Sequence, residues 1–226
     1  MAEHLIVAID GPAGAGKTTL GRMLARELGL LYIDTGSMYR AVALAVIESG
    51  TNETDDVTVG VLAERIDIDL AGDPDSLHVT LDGRDVTERI RDEDVTDMSS
   101  IISTIPAVRR AMVRRQRELG RRGAVMNGRD IGTVVFPSAD FKFFLTATPE
   151  ARAERRLAEE HQVNPAATYE ATLAYMTERD ARDSTRADSP LVAAPDAVVI
   201  DTTGVPVDEV CQRMMREIEK RGDEVL

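Results

Sequence analysis

The sequence predicts an α/β protein: a doubly wound parallel sheet in three α/β/α layers, with an inserted β-containing subdomain and a helical lid. Three observations predict it. The apolar run Leu5-Ile6-Val7-Ala8-Ile9 ends at Gly11-Pro12-Ala13-Gly14-Ala15-Gly16-Lys17-Thr18, which opens a helix. Further short apolar runs, at Leu31–Ile33, Ala124–Met126, Phe141–Leu145 and Ala197–Ile200, alternate with segments of helical spacing. Strands alternating with helices make a parallel sheet whose ligands lie at the carboxyl ends of the strands. Between about Val57 and Ser100 the texture changes to the period-2 runs Ile66–Leu70 and Leu77–Leu81, with turn signals at Gly72-Asp73-Pro74-Asp75 and Asp82-Gly83. Such runs are small antiparallel strands inserted into the parallel scaffold.

The helices follow in order. Lys17–Leu28 places Leu20, Met23, Leu24 and Leu28 at helical spacing. Ser37 is the expected cap of the next helix, through Tyr39, Val42 and Val46. Arg109–Arg122 reads as a basic helix, and Thr148-Pro149-Glu150 starts another that runs through His161. Asn164-Pro165 opens a helix reaching about Asp183, and Val207–Lys220 closes the fold. The expected division is a single domain over 1–226, with its core at about 1–56 and 101–226, the insert at about 57–100 and the lid at about 150–166.

Bulk composition narrows the function classes. With 226 residues, 43% hydrophobic and 30% charged, the chain can bury a full core as one globular domain. A net charge of −13 argues against a nucleic-acid coat or a basic membrane-surface protein. It leaves room for small polyanions bound by locally clustered arginines. The single cysteine, Cys211, rules out an intramolecular disulfide framework and reads as a buried thiol on a helix face. No apolar run reaches membrane-spanning length and Glu3 and His4 precede only a short apolar stretch, so a cytoplasmic protein is expected.

The glycine-rich loop carries the chemistry. Its glycines let successive backbone N–H groups point into one concavity, and the following helix adds its positive end. Lys17 can reach the β- and γ-phosphates of a nucleotide, and the Thr18 hydroxyl can ligate Mg²⁺. Three more groups lie at strand ends or on the helices after them: Asp34–Arg40, Gly128–Gly132, and Arg179-Asp180-x-Arg182-Asp183-x-x-Arg186. Arg40, Arg129 and Arg186, with Thr35 as a hydroxyl donor, suit a phosphate held by bidentate forks. Intrahelical ion pairs would also explain the third group. Arg152, Arg155 and Arg156 point to one side of a helix, either as a solvated face or as lid arginines that stabilise a phosphoryl group in transfer.

These motifs resemble the bacterial cytidylate (CMP) kinases, P-loop nucleoside monophosphate kinases, over nearly the whole chain. The resemblance rests on Ile9–Lys17, Asp34–Arg40, Pro106–Arg109, Asn127–Pro137, and Arg179-Asp180 through Ser184–Ala187. The run Gly-Arg-Asp-Ile-Gly-Thr-Val-Val-Phe-Pro is its most specific part. The resemblance implies ATP-dependent phosphorylation of CMP and dCMP by in-line transfer, with ATP and Mg²⁺ required. It implies a monomer acting on small molecules, with no nucleic-acid or membrane partner. Gly11, Pro12, Ala13, Gly14, Ala15, Gly16, Lys17, Thr18 and Thr19 would cradle ATP, with Thr18 on the metal. Thr35, Arg40, Gly128, Arg129 and Arg186 would hold the CMP phosphate, and Tyr39 would pack on the cytosine. Ser100, Arg109 and Asp130 would read the base edge, while Arg179 and Asp183 would contact the ribose. Lys17, Arg129, Arg155 and Arg156 would serve catalysis.

Two departures from the family pattern stand out. Ser37 replaces a common alanine. Asn127 stands where relatives usually carry an acid before Gly-Arg-Asp, which leaves Asp34 or Asp10 to support Mg²⁺. The alternatives are another small-molecule P-loop kinase, acting on UMP, AMP, shikimate or a coenzyme precursor, and a nucleotide-dependent binding module without transfer.

Overall fold

A computed structural model describes residues 4–162 and 164–224, with side chains to residue 220. Position 163 of the expected lid, and the ends of the expected domain at 1–3 and 225–226, lie outside the described residues.

Five parallel strands form the central sheet, in the order β2 (Leu31–Asp34), β6 (Ala124–Asn127), β1 (Ile6–Asp10), β7 (Phe141–Thr146), β8 (Val198–Asp201). Every residue of β1 and of β6 is buried, as expected of inner strands covered on both faces. Stepping from β1 to β2 goes one way along the sheet, and from β2 to β6 the other. Right-handed crossovers then put α1 (Lys17–Leu28) on one face and α2 (Thr35–Ser49) and α5 (Pro106–Leu119) on the opposite one. The last helix, α8 (Val207–Glu224), packs against α1 and buries Cys211. The register brings Asp34 level with Asn127, so polar strand ends gather at one edge of an otherwise apolar sheet.

The alternating segment forms a second, antiparallel sheet: β3 (Ile68–Ala71), β4 (His78–Leu81) and β5 (Arg84–Asp85). Ile68, Leu70, Val79 and Leu81 turn inward while the residues between them are more exposed. Asp82 and Gly83 both have positive φ, 49° and 75°, giving the tight two-residue hairpin that the sequence signalled. The segment is not all strand, however. Helices α3 (Asp56–Arg65) and α4 (Glu93–Ile102) flank the small sheet, α3 against α5 and α4 against α2. The three valines of α3, at 57, 59 and 61, disguise it as a strand, but Asp55 caps it by accepting from the Thr58 amide at 3.0 Å and the Thr58 hydroxyl at 2.6 Å.

Three helix starts differ from expectation. Helix α2 begins at Thr35, with Asp34 as the cap: its carboxylate accepts from the Gly36 amide at 3.1 Å and from the Ser37 hydroxyl at 2.8 Å. Ser37 therefore lies in the first turn as a donor to the cap. Helix α5 starts at Pro106, in the first-turn position where a missing N–H costs nothing, and its last residues, Gly120–Arg122, tighten into a 3₁₀ turn. After α6 (Pro149–Glu160), Asn164-Pro165 lies in a turn, and α7 (Tyr169–Thr185) begins where Thr168 accepts from the Ala171 amide.

Candidate active site

The carboxyl ends of β1, β2 and β6 open into one cavity of about 570 Å³, within the size range of small-molecule sites. One end is the glycine loop. Gly14 and Gly16 hold positive φ, 71° and 88°, which bends the chain back around its own amides. Gly11 is required for a different reason: a Cβ there would lie 2.0 Å from the Leu145 carbonyl, so β7 and the loop approach too closely for any side chain. Lys17 Nζ donates to the Pro12 carbonyl at 2.6 Å, curling over the loop. Burial holds the Lys17 pKa well below its ordinary value, and the nearby Arg129 and Arg179 lower it further. Lys17, Arg129 and Arg179 thus form a partly buried cluster of like charge.

The other end is a chain of buried charges contributed by α5, the loop after β6, and the C-terminal end of α7. Arg109 Nη2, on α5, donates to Asp130 at 2.5 Å, and this arginine is only 2% exposed. Arg186 lies 3.9 Å from Asp130 and 3.6 Å from Asp183, and Asp183 accepts from Arg129 Nε at 2.9 Å. The order Arg109, Asp130, Arg186, Asp183, Arg129 thus alternates sign through a water-poor wall. Burial raises the Asp183 pKa, but Arg129 and Arg179 outweigh it and hold the carboxyl below its usual range. Arg179 is lowered by burial and by Arg129. The Tyr39 ring stacks 5.6 Å beneath the Arg109 guanidinium, and burial raises the Tyr39 phenol, keeping it neutral. Arg40 Nη2 reaches Asp34 at 3.1 Å and Ser37 at 2.8 Å, leaving its buried Nε without a partner among the described residues. The Thr35 hydroxyl donates to the Asn127 carbonyl at 2.8 Å.

Every residue expected to hold the acceptor lines this cavity: Thr35, Tyr39, Arg40, Ser100, Arg109, Gly128, Arg129, Asp130, Arg179, Asp183 and Arg186. So do Ala13, Gly14, Gly16, Lys17, Thr18, Thr19, Arg155 and Arg156. Gly11, Pro12 and Ala15 do not, and support the loop from behind. Arg155 is occupied, donating to the Gly14 carbonyl at 3.2 Å and the Thr202 carbonyl at 2.6 Å. Arg156 pairs with Glu160 at 2.9 Å and Glu159 at 3.4 Å on its own helix.

A model of the family described as cytidylate kinase matches residues 7–220. The chain belongs to the cytidylate kinase family. Among curated relatives, the cytidylate kinase of Desulforamulus reducens is 50% identical over 222 residues, 97% of this chain and 99% of that one. That of Solibacter usitatus is 48% identical, covering 97% and 94%, and that of Mycobacterium avium 45% identical, covering 99% of each. A solved structure of an uncharacterised protein from Eubacterium ventriosum is similar in fold, with a TM-score of 0.50 at 13% identity, over 95% of this chain and 98% of that one.

In this family member the two carboxylates considered for metal support sit differently. Asp10 faces away from the cavity and accepts from the Ile131 and Gly132 amides, each at 2.8 Å. It ties β1 to the single π-helical turn Ile131–Val135 behind Asp130. Asp34 lines the cavity; burial raises its pKa, but Arg40, the Ser37 hydroxyl and the Gly36 amide outweigh that and keep it ionised. Oriented to satisfy its neighbours, the Asn127 amide donates to the Ile33 carbonyl at 3.1 Å and to Asp34 at 3.3 Å, and accepts from the Tyr32 hydroxyl at 2.9 Å. Asn127 is thus a neutral partner of Asp34. An exposed Thr18 hydroxyl and an ionised Asp34 beside the phosphate loop fit Mg²⁺, which takes one or two protein oxygens and fills its shell with water and phosphate.

Burial lifts Asp10 to about 6 against the two amides, from an ordinary value of 3.8. Because the folded-state pKa is the higher one, Asp10 stabilises the fold most below about pH 4, and this contribution is lost as pH rises through about 6. Thermal melts of the wild type and Asp10→Asn across pH 4–8 should therefore show a stability gap that shrinks with rising pH. A gap independent of pH would contradict it.

Sequence reasoning did not single out Thr202, Tyr175 or Met176. Tyr175 and Met176 line the cavity from α7, and Thr202 is buried at the end of β8. An apolar strand ending in Asp-Thr-Thr was the available signal for Thr202, since it marks another carboxyl end of the sheet.

Proposed function

We propose that the protein transfers the γ-phosphoryl group of ATP to the phosphate of CMP or dCMP, yielding ADP and CDP or dCDP. One observation carries this reading: a phosphate loop with Lys17 and a buried arginine–carboxylate wall face each other within a single cavity. Such a site can hold two phosphate-bearing ligands end to end, as in-line transfer requires.

The loop amides and Lys17 bind the ATP phosphates. Thr18, supported by Asp34, would hold Mg²⁺, which when bound neutralises charge on the transferred group. Thr35, Arg40, Arg129 and Arg186, which all line the cavity, bind the acceptor phosphate. Tyr39 covers one face of the cytosine. Asp130 accepts from the cytosine amino group, while Arg109 and Ser100 donate to its ring nitrogen and carbonyl. Uracil presents a carbonyl to Asp130 and is disfavoured by the unpaired carboxylate. Arg179 and Asp183 contact the ribose. The acceptor phosphate attacks the γ-phosphorus directly, so no covalent intermediate on the protein is required.

Residues 57–100 act as the acceptor-binding subdomain and 150–166 as the lid. Arg156 is the lid arginine best placed to swing over the γ-phosphate, since its partners are two glutamates of its own helix, Glu159 and Glu160. Arg155 would have to release two carbonyls to do the same. Among the described residues no helix is long and apolar enough to cross a membrane. We assign the protein to the cytoplasm as a monomer acting on small molecules. Incubation with CMP, ATP and Mg²⁺, followed by chromatography of the nucleotides, should give CDP and ADP in equal amounts. ADP with no CDP would mean hydrolysis and overturn the transfer.

A further inference from the structure

Three successive carbonyls of the phosphate loop are gripped from outside. Ala13 O accepts from Arg152 Nη1 at 3.2 Å and Gly14 O from Arg155 Nη1 at 3.2 Å. Ala15 O accepts from the Thr202 hydroxyl at 3.3 Å, a proton shared with the Thr146 carbonyl at 3.1 Å. There are no cis peptide bonds among the described residues. In a trans peptide the carbonyl and the following N–H point in opposite directions. Fixing carbonyls 13, 14 and 15 from the side of α6 and the β8–α8 loop therefore turns the N–H groups of Gly14, Ala15 and Gly16 the other way, and of these residues Gly14 and Gly16 line the cavity. None of those three amides donates to another described residue. They form an anion nest whose geometry is set before any ligand arrives.

The grips are themselves anchored. Arg152 is 5% exposed; its Nε donates to the Ala147 carbonyl at 3.1 Å and its Nη1 pairs with Asp180 at 2.6 Å. Arg155 Nη1 also donates to the Thr202 hydroxyl at 3.0 Å, and the Thr202 amide is held by the Thr146 carbonyl at 2.8 Å. Gly14 has Arg152 O at 2.9 Å and Met176 Cε at 3.1 Å where a Cβ would go, so the loop lies directly on α6 and α7.

We propose that Arg152, Arg155 and Thr202 are positioning residues that preset the phosphate nest, acting through the loop carbonyls. The proposal rests on the assignment of ATP to this loop. A nest already ordered spends less of its binding energy on immobilising backbone, and its N–H dipoles need no reorientation when charge shifts during transfer. It also gives Arg155 a role that its present bonds satisfy, in place of a reach over the γ-phosphate.

The test uses the full chain and a ligand without a base, Mg-tripolyphosphate, so that contacts to adenine play no part. Thr202→Val keeps the shape and removes the hydroxyl; Thr202→Ser keeps the hydroxyl. Arg152→Lys keeps the charge facing Asp180 and loses the Nη1 bond to the Ala13 carbonyl. By calorimetry, Thr202→Val and Arg152→Lys should bind Mg-tripolyphosphate and ATP about three- to ten-fold more weakly, the worth of one hydrogen bond. The affinity for CMP should stay unchanged, and Thr202→Ser should regain the wild-type affinities. Unaltered tripolyphosphate binding in both variants would overturn the proposal. So would a parallel loss for CMP, which would mark general loosening, or a loss for ATP alone, which would mark a contact to the base. A wild type that binds neither tripolyphosphate nor ATP would instead overturn the nucleotide assignment itself.

Discussion

Lys17→Met is expected to lower kcat by about 10³-fold while leaving the apo protein at least as heat-stable as the wild type. The fall follows from the proposed role of Lys17 as a cation on the transferred phosphoryl group, since interactions of this kind contribute about 10²–10⁵ in rate. The stability follows from the site's electrostatics. Burial together with Arg129 and Arg179 makes the Lys17 charge unfavourable until a polyanion arrives, so an apolar chain of similar length removes a cost in the empty protein. The stabilisation that ATP gives the wild type should shrink in the variant. Turnover by coupled assay and melting curves with and without ATP check both parts. A variant that loses apo stability in proportion to its activity would contradict the account.

The second large effect is expected at Asp130. Asp130→Asn should lower kcat/KM for CMP by about 10²–10³-fold, because it would weaken the proposed recognition of the cytosine amino group and removes the counter-charge of Arg109 and Arg186. ATP affinity, set at the other end of the cavity, should hold to within a few-fold. The preference for CMP over UMP should narrow, since an amide can turn a donor toward the uracil carbonyl. Steady-state kinetics with each acceptor, at saturating ATP, measure this. An equal loss of CMP turnover and ATP binding would mean that Asp130 supports the whole site and reads no base.

What was legible in the sequence follows from locality. Inner strands such as β1 and β6 are buried on both faces, so their apolar runs announce them, and the loop after β1 announces itself through Gly16-Lys17-Thr18. The hairpin at Asp82-Gly83 is equally local, because positive φ at both positions demands those residue types. Helix starts were harder. Asp34 and Ser37 are both good caps, and only the folded chain shows that Ser37 donates to Asp34 from inside the first turn. Helix α3 was not singled out, because its three valines are weak helix formers and its packing on α5 is not visible in local sequence.

The site divides in the same way. The spacing of Arg179, Asp183 and Arg186 was readable as one helical face, although Arg186 is the residue that caps the end of α7. Which partners they take was not. Arg129 finds Asp183 across 54 positions and Arg109 finds Asp130 across 21, and nothing in local sequence encodes such pairings. Arg155 read either as part of a solvated face or as a lid arginine, because its partners, Gly14 and Thr202, are brought to it by the sheet. Asn127 looked like a missing metal ligand, and in the fold it is a hydrogen-bond partner of Asp34.

The central claim is that one cavity joins ATP to a cytidine monophosphate and selects it by its base. The most direct measurement is acceptor-dependent ADP release with ATP and Mg²⁺, using CMP, dCMP, UMP, AMP, GMP and no acceptor in parallel. Fast turnover with CMP and dCMP, slow turnover with UMP and almost none with the rest is the predicted result. Turnover with UMP, AMP or GMP equal to that with CMP, or ADP release that does not depend on an acceptor, would contradict it.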